Sequence, residues 1–493
     1  MREGYIEPAS RKKILLLADD LRFPSGVGTM SKEIVFGTCH RYNWVQIGAG
    51  INHPDRGKII VMNDAVTKET GVEDPDVKIY PSNGYGDSQT LRDVIKAENP
   101  DAIMIFTDPR YWIWLFNMER ELRSKMPIMY LNIWDNPPYP MYNKSYYQSC
   151  DGLFGISKQT VNINRQVLGD DAVNHIIRYL PHGVSAYYKP LGKNDPAVVE
   201  MKKKIFGDNG PEFILFYNAR NISRKRTSDI ILAWNNLCTR YLNAEQASKC
   251  CLYLHTDPVD DAGTDLLAVA NTLCDLSRTP IRFDPNRYST EDLNLLYNMS
   301  DGVIMASAAE GWGLAVTEAL NTGKMFIATV TGGMQDQMRF EDENGNWINF
   351  SKTFPSNHTG IYKKHGSWCI PIWPDKGRSL VGSPLTPYIY DDRTSIEDIT
   401  KAMYELWLMP EEDREKNGME GYKWATSDEA GFTSAQMAQK FIEAADATFE
   451  FYKSHPRSRY ELIKIETKRP SNYVDYDPVN YKVEVDEKDI MRS

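Results

Sequence analysis

Short apolar runs alternate with amphipathic stretches over the first third of the chain. Lys13–Ala18, Trp44–Ile47, Lys58–Met62, Ala102–Phe106, Ile128–Ile133 and Gly152–Ile156 read as buried strands, with helical spacing over Ser31–Cys39 and Ser88–Ala97 between them. Strands that are apolar at nearly every position, rather than at every second one, belong to a parallel sheet covered on both faces. The pattern breaks at Pro181–Lys193, whose glycine and prolines mark a linker, and then restarts. Phe213–Tyr217, Cys251–His255, Ile281–Phe283, Gly302–Met305 and Met325–Thr329 are the next strands. Thr227–Tyr241, Thr290–Met299 and Leu314–Thr322 are the helices among them. The prediction is an α/β chain of two doubly wound units in tandem, divided at residues 1–187 and 188–432.

From Phe340 to Asp392 the alternation fails, and this stretch is read as an irregular insertion over about 340–392. Its many aromatics either pack as a local mini-core or shape a binding surface. Helical periodicity returns at Ser395–Leu408 and Ala435–Tyr452. After Pro456 the chain is charged and weakly patterned, and residues 456–493 are expected to form an extended tail.

Composition narrows the function class. The 493 residues carry a net charge of −10, which argues against wholesale coating of nucleic acid but leaves one local basic groove open. Seven cysteines, with no C-x-x-C among them, fit reduced thiols and a cytoplasmic location. The charged N-terminus has no signal-peptide core, and Ile14–Ala18 is too short to cross a bilayer, so no transmembrane segment is expected.

Three segments carry candidate chemistry. In Ala308–Gly323, AAEGWGLAVTEALNTG, a strand leads through a small-residue loop to Glu310, a Gly-Trp-Gly turn and a helix bearing Glu318. Glycines there permit close backbone approach, and a helix start offers free N–H groups to an anion. Eight positions along a helix is just over two turns, which places one carboxylate at the cleft mouth and the other one layer deeper. Carboxylates suit sugar and ribose hydroxyls. In Phe213–Lys225, a strand ends in a loop holding Arg220, with Arg224, Lys225 and Arg226 close behind. Strand ends of open α/β sheets face a crevice, so these cations meet a phosphate or form a solvated basic turn. Asp19–Met30 follows the first strand, and its Gly26 and Gly28 either bring amides to a phosphate or belong to an ordinary loop. Ser31 stands where a dinucleotide fingerprint needs its third glycine, which weakens a nicotinamide-dependent oxidoreductase.

Together these segments resemble glycosyltransferase family four, the retaining enzymes of GT-B fold, most strongly over Asp151–Gln337. Glu310-Gly-Trp-Gly-Leu-Ala-Val-Thr-Glu318 is similar to the family's pair of glutamates separated by seven residues. Arg220 and Lys225 stand at its Arg and Lys, and Ile156-Ser157-Lys158 resembles its "VSE" turn. Leu180–Pro190 resembles its interdomain linker, and Gly332-Gly333-Met334-Gln335-Asp336 its "GG-x-P-E" loop.

The resemblance implies two Rossmann-like domains facing across a cleft, with a last helix (about 433–455) crossing back to the first. It implies transfer of a hexosyl or pentosyl group, with retention, from a UDP-, GDP- or ADP-sugar. Arg220 and Lys225 would neutralise the departing diphosphate, Glu318 would bind ribose and Glu310 the transferred sugar. Amides of Gly311, Trp312, Gly313, Leu314 and Gly28 would complete the cradle, with no cofactor and no metal demanded. The family often carries a His after a strand of its first half. Here that stretch reads Tyr130-Leu-Asn-Ile-Trp-Asp135-Asn-Pro-Pro. Asp135 either accepts a sugar hydroxyl in its place or caps the Asn-Pro-Pro turn, and Trp134 is a candidate stacking face. His182, where the family has Asn, is assigned a structural role in the linker turn. The acceptor stays open: a glycan, a lipid, a small molecule or, as in some phage enzymes, a hydroxymethylated DNA base. A non-catalytic sugar-nucleotide-binding subunit is the alternative of another class, and the oligomeric state is left open.

Overall fold

The computed structural model describes residues 4–50, 54–350, 361–374 and 378–455; the 456–493 tail, and parts of the 340–392 insertion, lie outside them. Eight strands form the first sheet: β1 (Lys12–Asp19), β2 (Tyr42–Ala49), β3 (Ile60–Val61), β4 (Val77–Pro81), β5 (Ala102–Phe106), β6 (Ile128–Asn132), β7 (Gly152–Gly155) and β8 (Ile176–Tyr179). Their order is β3-β4-β2-β1-β5-β6-β7-β8, and every pair but β3–β4 is parallel. Leu17 lies opposite Ile47 on one side and Ile105 on the other, all fully buried. Burial on both faces is why β1 and β5 read as unbroken apolar runs.

The second sheet holds β9 (Phe213–Asn218), β10 (Cys250–His255), β11 (Ile281–Asp284), β12 (Gly302–Met305), β13 (Phe326–Thr329) and β14 (Cys369–Ile372), in the order β11-β10-β9-β12-β13-β14. All its pairings are parallel. Strand order reverses between β9 and β12, the switch point where doubly wound sheets open a crevice at their C-terminal edge. Two Rossmann-like domains are therefore present, as the alternation predicts.

Departures from the predicted strands have local causes; β4 is fully buried only at every second position and so carries no continuous apolar run. Lys58–Met62 supplies only a two-residue antiparallel edge strand, with Ile59 and Val61 more than half exposed. β8 is half exposed at the opposite edge, so its apolar signal is weak. β14 lies inside the stretch read as irregular; its Pro371 is tolerated because β14 pairs with β13 alone. The insertion then forms an antiparallel hairpin, β15 (Ser379–Ser383) and β16 (Thr386–Asp391). Its aromatics divide between a packed cluster and the hairpin. Trp368 stacks on Trp424 at 5.0 Å with Trp347 edge-on at 5.4 Å, whereas Tyr388 and Tyr390 sit on the hairpin.

The helix Ser434–Ser454 does return to the first domain. Gly37 on the Gly26–Thr38 helix lies so close to it that a Cβ would stand 2.7 Å from that of Ala438. Arg41 and Tyr42 donate to Asp446 at 2.6 and 2.8 Å. The segment leading into this helix runs beside the linker: Val184 N–H donates to the Phe432 carbonyl at 3.1 Å, and Ser434 N–H to the Val184 carbonyl at 2.9 Å. Among the described residues, no helix is long and apolar enough to cross a membrane, and the seven cysteines are free thiols.

Candidate active site

The chemistry gathers at the switch point of the second sheet. After β9 the chain makes a 3-10 turn at Ser223–Lys225, and Arg226 leaves it with φ of +55°. That left-handed conformation costs a side-chain-bearing residue about 1–2 kcal/mol. The Ala308 N–H donates to the Arg224 carbonyl at 2.8 Å, tying this turn to the loop after β12. Lys225 Nζ and Arg224 Nη1 then both donate to Glu310 Oε2, at 2.5 and 2.9 Å. Burial opposes the Glu310 charge, but the two cations outweigh it and lower its pKa to about 2. Burial lowers the Lys225 pKa, whereas Arg224, also opposed by burial, is raised by Glu310 and Asp135.

Backbone packing fixes Glu310. Gly333 N–H donates to its carbonyl at 3.0 Å, and a Cβ on Gly332 (φ +50°) would stand 1.7 Å from that oxygen. Gly313, at φ +91°, begins the Leu314–Asn321 helix with no side chain capping it, so its first N–H groups have the orientation that suits an anion. Glu310 precedes the helix, so helical spacing does not relate it to Glu318. Trp312 is 2 % exposed, donates to Thr317 Oγ1 at 2.7 Å and packs on Phe432; only its backbone is placed to serve the turn. Glu318 Oε2 accepts from Asn218 Nδ2 at 3.2 Å and from the Tyr297 hydroxyl. Burial raises its pKa against these hydrogen bonds.

Elements of the first domain face this cluster. Leu314 Cδ1 lies 3.4 Å from where a Gly26 Cβ would be, and the Ile133 carbonyl 2.7 Å from that of Gly311. Gly28 N–H donates to the capping Ser25 Oγ at 2.9 Å, which occupies the amide that the sequence offers to a phosphate. Asp135 follows β6 within electrostatic reach of Arg224 and Glu310; burial raises its pKa, Arg224 lowers it and Glu310 raises it. Lys158 N–H and the Tyr179 hydroxyl donate to Asp336 Oδ2 at 2.9 and 3.0 Å, joining the two "VSE"- and "GG-x-P-E"-like turns. His182 is buried between Phe106 and Trp312, the structural place expected of it.

Arg220 is not at the cluster. Its side chain is 67 % exposed and pairs with Asp260 at 2.7 Å. Arg224 takes the position on Glu310, and the sequence signal for it was only adjacency to Lys225. The hairpin was missed too. Arg226 pairs with Asp391, Asn136 Nδ2 donates to the Tyr390 carbonyl at 2.9 Å and the Tyr142 hydroxyl to that of Tyr388 at 2.9 Å. Between the hairpin and the first domain lies a cavity of about 350 Å³.

The profile of the family described as glycosyl transferases group 1 matches residues 281–353, the segment holding Glu310, Glu318 and the Gly332–Asp336 loop. The chain has the GT-B fold, and within it residues 281–353 are similar to that family. Several solved GT-B structures share its fold. HepE of Anabaena, in complex with UDP and glucose, superposes with a TM-score of 0.60 at 14% identity, covering 89% of this chain and all of HepE. Sucrose-phosphate synthase of Thermosynechococcus elongatus gives 0.60 at 12%, covering 89% and 100%. A UDP-forming trehalose-phosphate synthase of Burkholderia xenovorans, in complex with glucose-6-phosphate, gives 0.57 at 11%, covering 89% and 100%. No curated protein matches the chain by sequence.

Proposed function

We propose that this GT-B protein is a retaining glycosyltransferase that moves a hexosyl group from a nucleotide-diphosphate sugar to an acceptor hydroxyl. The observation that carries the reading is Glu310 held by Lys225 and Arg224, beside an uncapped helix start at the switch point. A diphosphate set there meets two fixed cations and the N–H groups of Gly313–Leu314, which are oriented before the reaction toward the charge that develops on departure. Lys225 and Arg224 receive the leaving-group role. Arg220 serves at the outer edge, where it must leave Asp260 to reach a phosphate.

Glu318 accepts the ribose hydroxyls with its carboxylate fixed by Asn218 and Tyr297, and Glu310 and Asp135 accept hydroxyls of the transferred sugar. The bond from the anomeric carbon to the phosphate oxygen breaks, the bond to the acceptor oxygen forms on the same face, and the acceptor proton passes to the departing phosphate. No side-chain base is required for that step. A UDP-sugar is the first donor to test, because UDP is the nucleotide in the HepE complex.

Thermal-shift titration with UDP, GDP and ADP tests the reading. Stabilisation by one of them, lost in Lys225→Ala and Glu318→Ala, is the expected result. Indifference of the wild-type protein to all three would overturn it. With the donor known, the anomeric configuration of the product by NMR decides between retention and inversion.

A further inference from the structure

The cavity beneath the β15–β16 hairpin shares Asp135 with the donor site described above, while the rest of its lining has no role there. Asp108, Arg110, Ile133, Trp134 and Asp135 line it from the first domain, and Val381, Gly382, Ser383, Thr386 and Ile389 from the hairpin. Asp135 belongs both to this lining and to the electrostatic neighbourhood of Glu310 and Arg224. At about 350 Å³, the cavity is at the small end of ligand sites, which span roughly 300–1,000 Å³.

Its charge is the informative feature. Among the described residues, Arg110 is the one cation in the lining, and its guanidinium is paired: Nε donates to Asp108 Oδ1 at 2.7 Å, Nη2 pairs with Asp108 Oδ2, and Nη1 donates to Thr386 Oγ1. Two cations beside the hairpin are paired too, Arg226 with Asp391 and Arg378 with Asp392 at 3.2 Å. Among the described residues the lining thus offers hydroxyls, carboxylate oxygens and the apolar surfaces of Trp134, Val381 and Ile389, and its cation is held by a carboxylate of the same lining. Carboxylates accept from sugar hydroxyls and repel a phosphoryl group.

We propose that this cavity is the acceptor pocket and that it selects an uncharged, monosaccharide-sized polyol, a free sugar or cyclitol, against its phosphate ester. The inference rests on the glycosyltransferase reading and adds the substrate class. It sets this chain apart from the similar fold that was crystallised with glucose-6-phosphate. The hairpin is the specificity element, because it supplies half the lining and bonds the Arg110 fork. In the transfer, one acceptor hydroxyl beside Asp135 forms the new bond to the anomeric carbon and gives its proton to the leaving diphosphate.

The test is a panel of neutral hexoses and cyclitols against their monophosphates, with donor hydrolysis in the absence of acceptor measured in parallel. The expected result is transfer to at least one neutral polyol with kcat/KM at least about 100-fold above its phosphate ester. Val381→Trp, at a position partly exposed in the hairpin, fills the cavity and raises the acceptor KM by about tenfold or more. Leu385→Ser, at the exposed turn outside the lining, leaves it unchanged. Asp108→Asn keeps the shape but releases Arg110, and narrows the neutral-over-phosphate preference by about tenfold. Comparable or better transfer to the phosphate esters, an unchanged preference in Asp108→Asn, or donor hydrolysis that no neutral polyol diverts would each overturn the proposal. Failure to bind or hydrolyse any nucleotide sugar would instead defeat the glycosyltransferase reading beneath it.

Discussion

Glu310→Gln removes the charge at the centre of the cluster and keeps its shape. Glutamine retains an oxygen for Lys225 and Arg224 to donate to, so packing is conserved and only the electrostatic contribution is lost. The two cations bring the Glu310 pKa from 4.5 to about 2. At about 1.4 kcal/mol per pKa unit, that lowering is about 3 kcal/mol of charge-dependent stability. The Arg224 side chain is 39 % exposed, so solvent screening reduces the expected loss to about 2 kcal/mol. For a body spanning Met1–Arg457, at about 2.1 cal/mol/K of unfolding entropy per residue, each kcal/mol moves Tm by roughly 1 °C, which places the variant about 2 °C below wild type at pH 7. Because the folded pKa is depressed, this contribution is complete above about pH 4.5 and disappears as pH falls toward 2. Paired melts at pH 7 and at pH 3 should therefore show the gap narrowing on acidification. UDP carries its own negative charge to the same cations, so its stabilising effect should be larger in the variant than in wild type. Equal Tm values at pH 7, or a gap that widens at low pH, would refute the reasoning.

Other substitutions test separate links. Arg224→Ala should lower kcat/KM by about 100-fold in a nucleotide-release assay, the usual scale for losing one donor to a developing charge, and Arg220→Ala by less than about tenfold. The reverse order would move the leaving-group site outward toward Asp260. Gly332→Ala drives a methyl into the Glu310 carbonyl at a left-handed position and should cost more than about 3 kcal/mol in urea denaturation; a wild-type midpoint would mean the loop has room to spare. Gly37→Leu overfills the contact with Ala438 and should cost about 1–3 kcal/mol, read as faster proteolysis of the C-terminal helix; unchanged cleavage would show that the helix docks elsewhere.

How much was legible follows from what each residue must satisfy. A strand buried on both faces has to be apolar throughout, so β1, β5, β9 and β12 announce themselves. Edge strands carry no such demand, which is why the exposed β8 and the proline-bearing β14 were silent. The Glu310 and Glu318 segment was readable because glycines, a strand and a helix start all constrain one short stretch. Which two of the neighbouring cations Arg220, Arg224, Lys225 and Arg226 reach Glu310 was not readable. That choice is made by a single turn and by Arg226 in a left-handed conformation, and no periodicity encodes either. Contacts between Arg226 and Asp391 join residues 165 positions apart, a separation across which one sequence leaves no local trace.

The chain crosses between its two sheets twice, and the crossings are bonded to each other at Val184, Phe432 and Ser434. A body hung on one strap can swing and spin; a body hung on two straps laced together turns mainly about the line they share. A rotation of one domain against the other would thereby follow mainly one coordinate and carry Glu310 and Asp135 apart along a single arc. The same lacing means that no single cut of the polypeptide yields the first sheet with all of its covering helices, since one of those helices is delivered only after the second sheet has been completed.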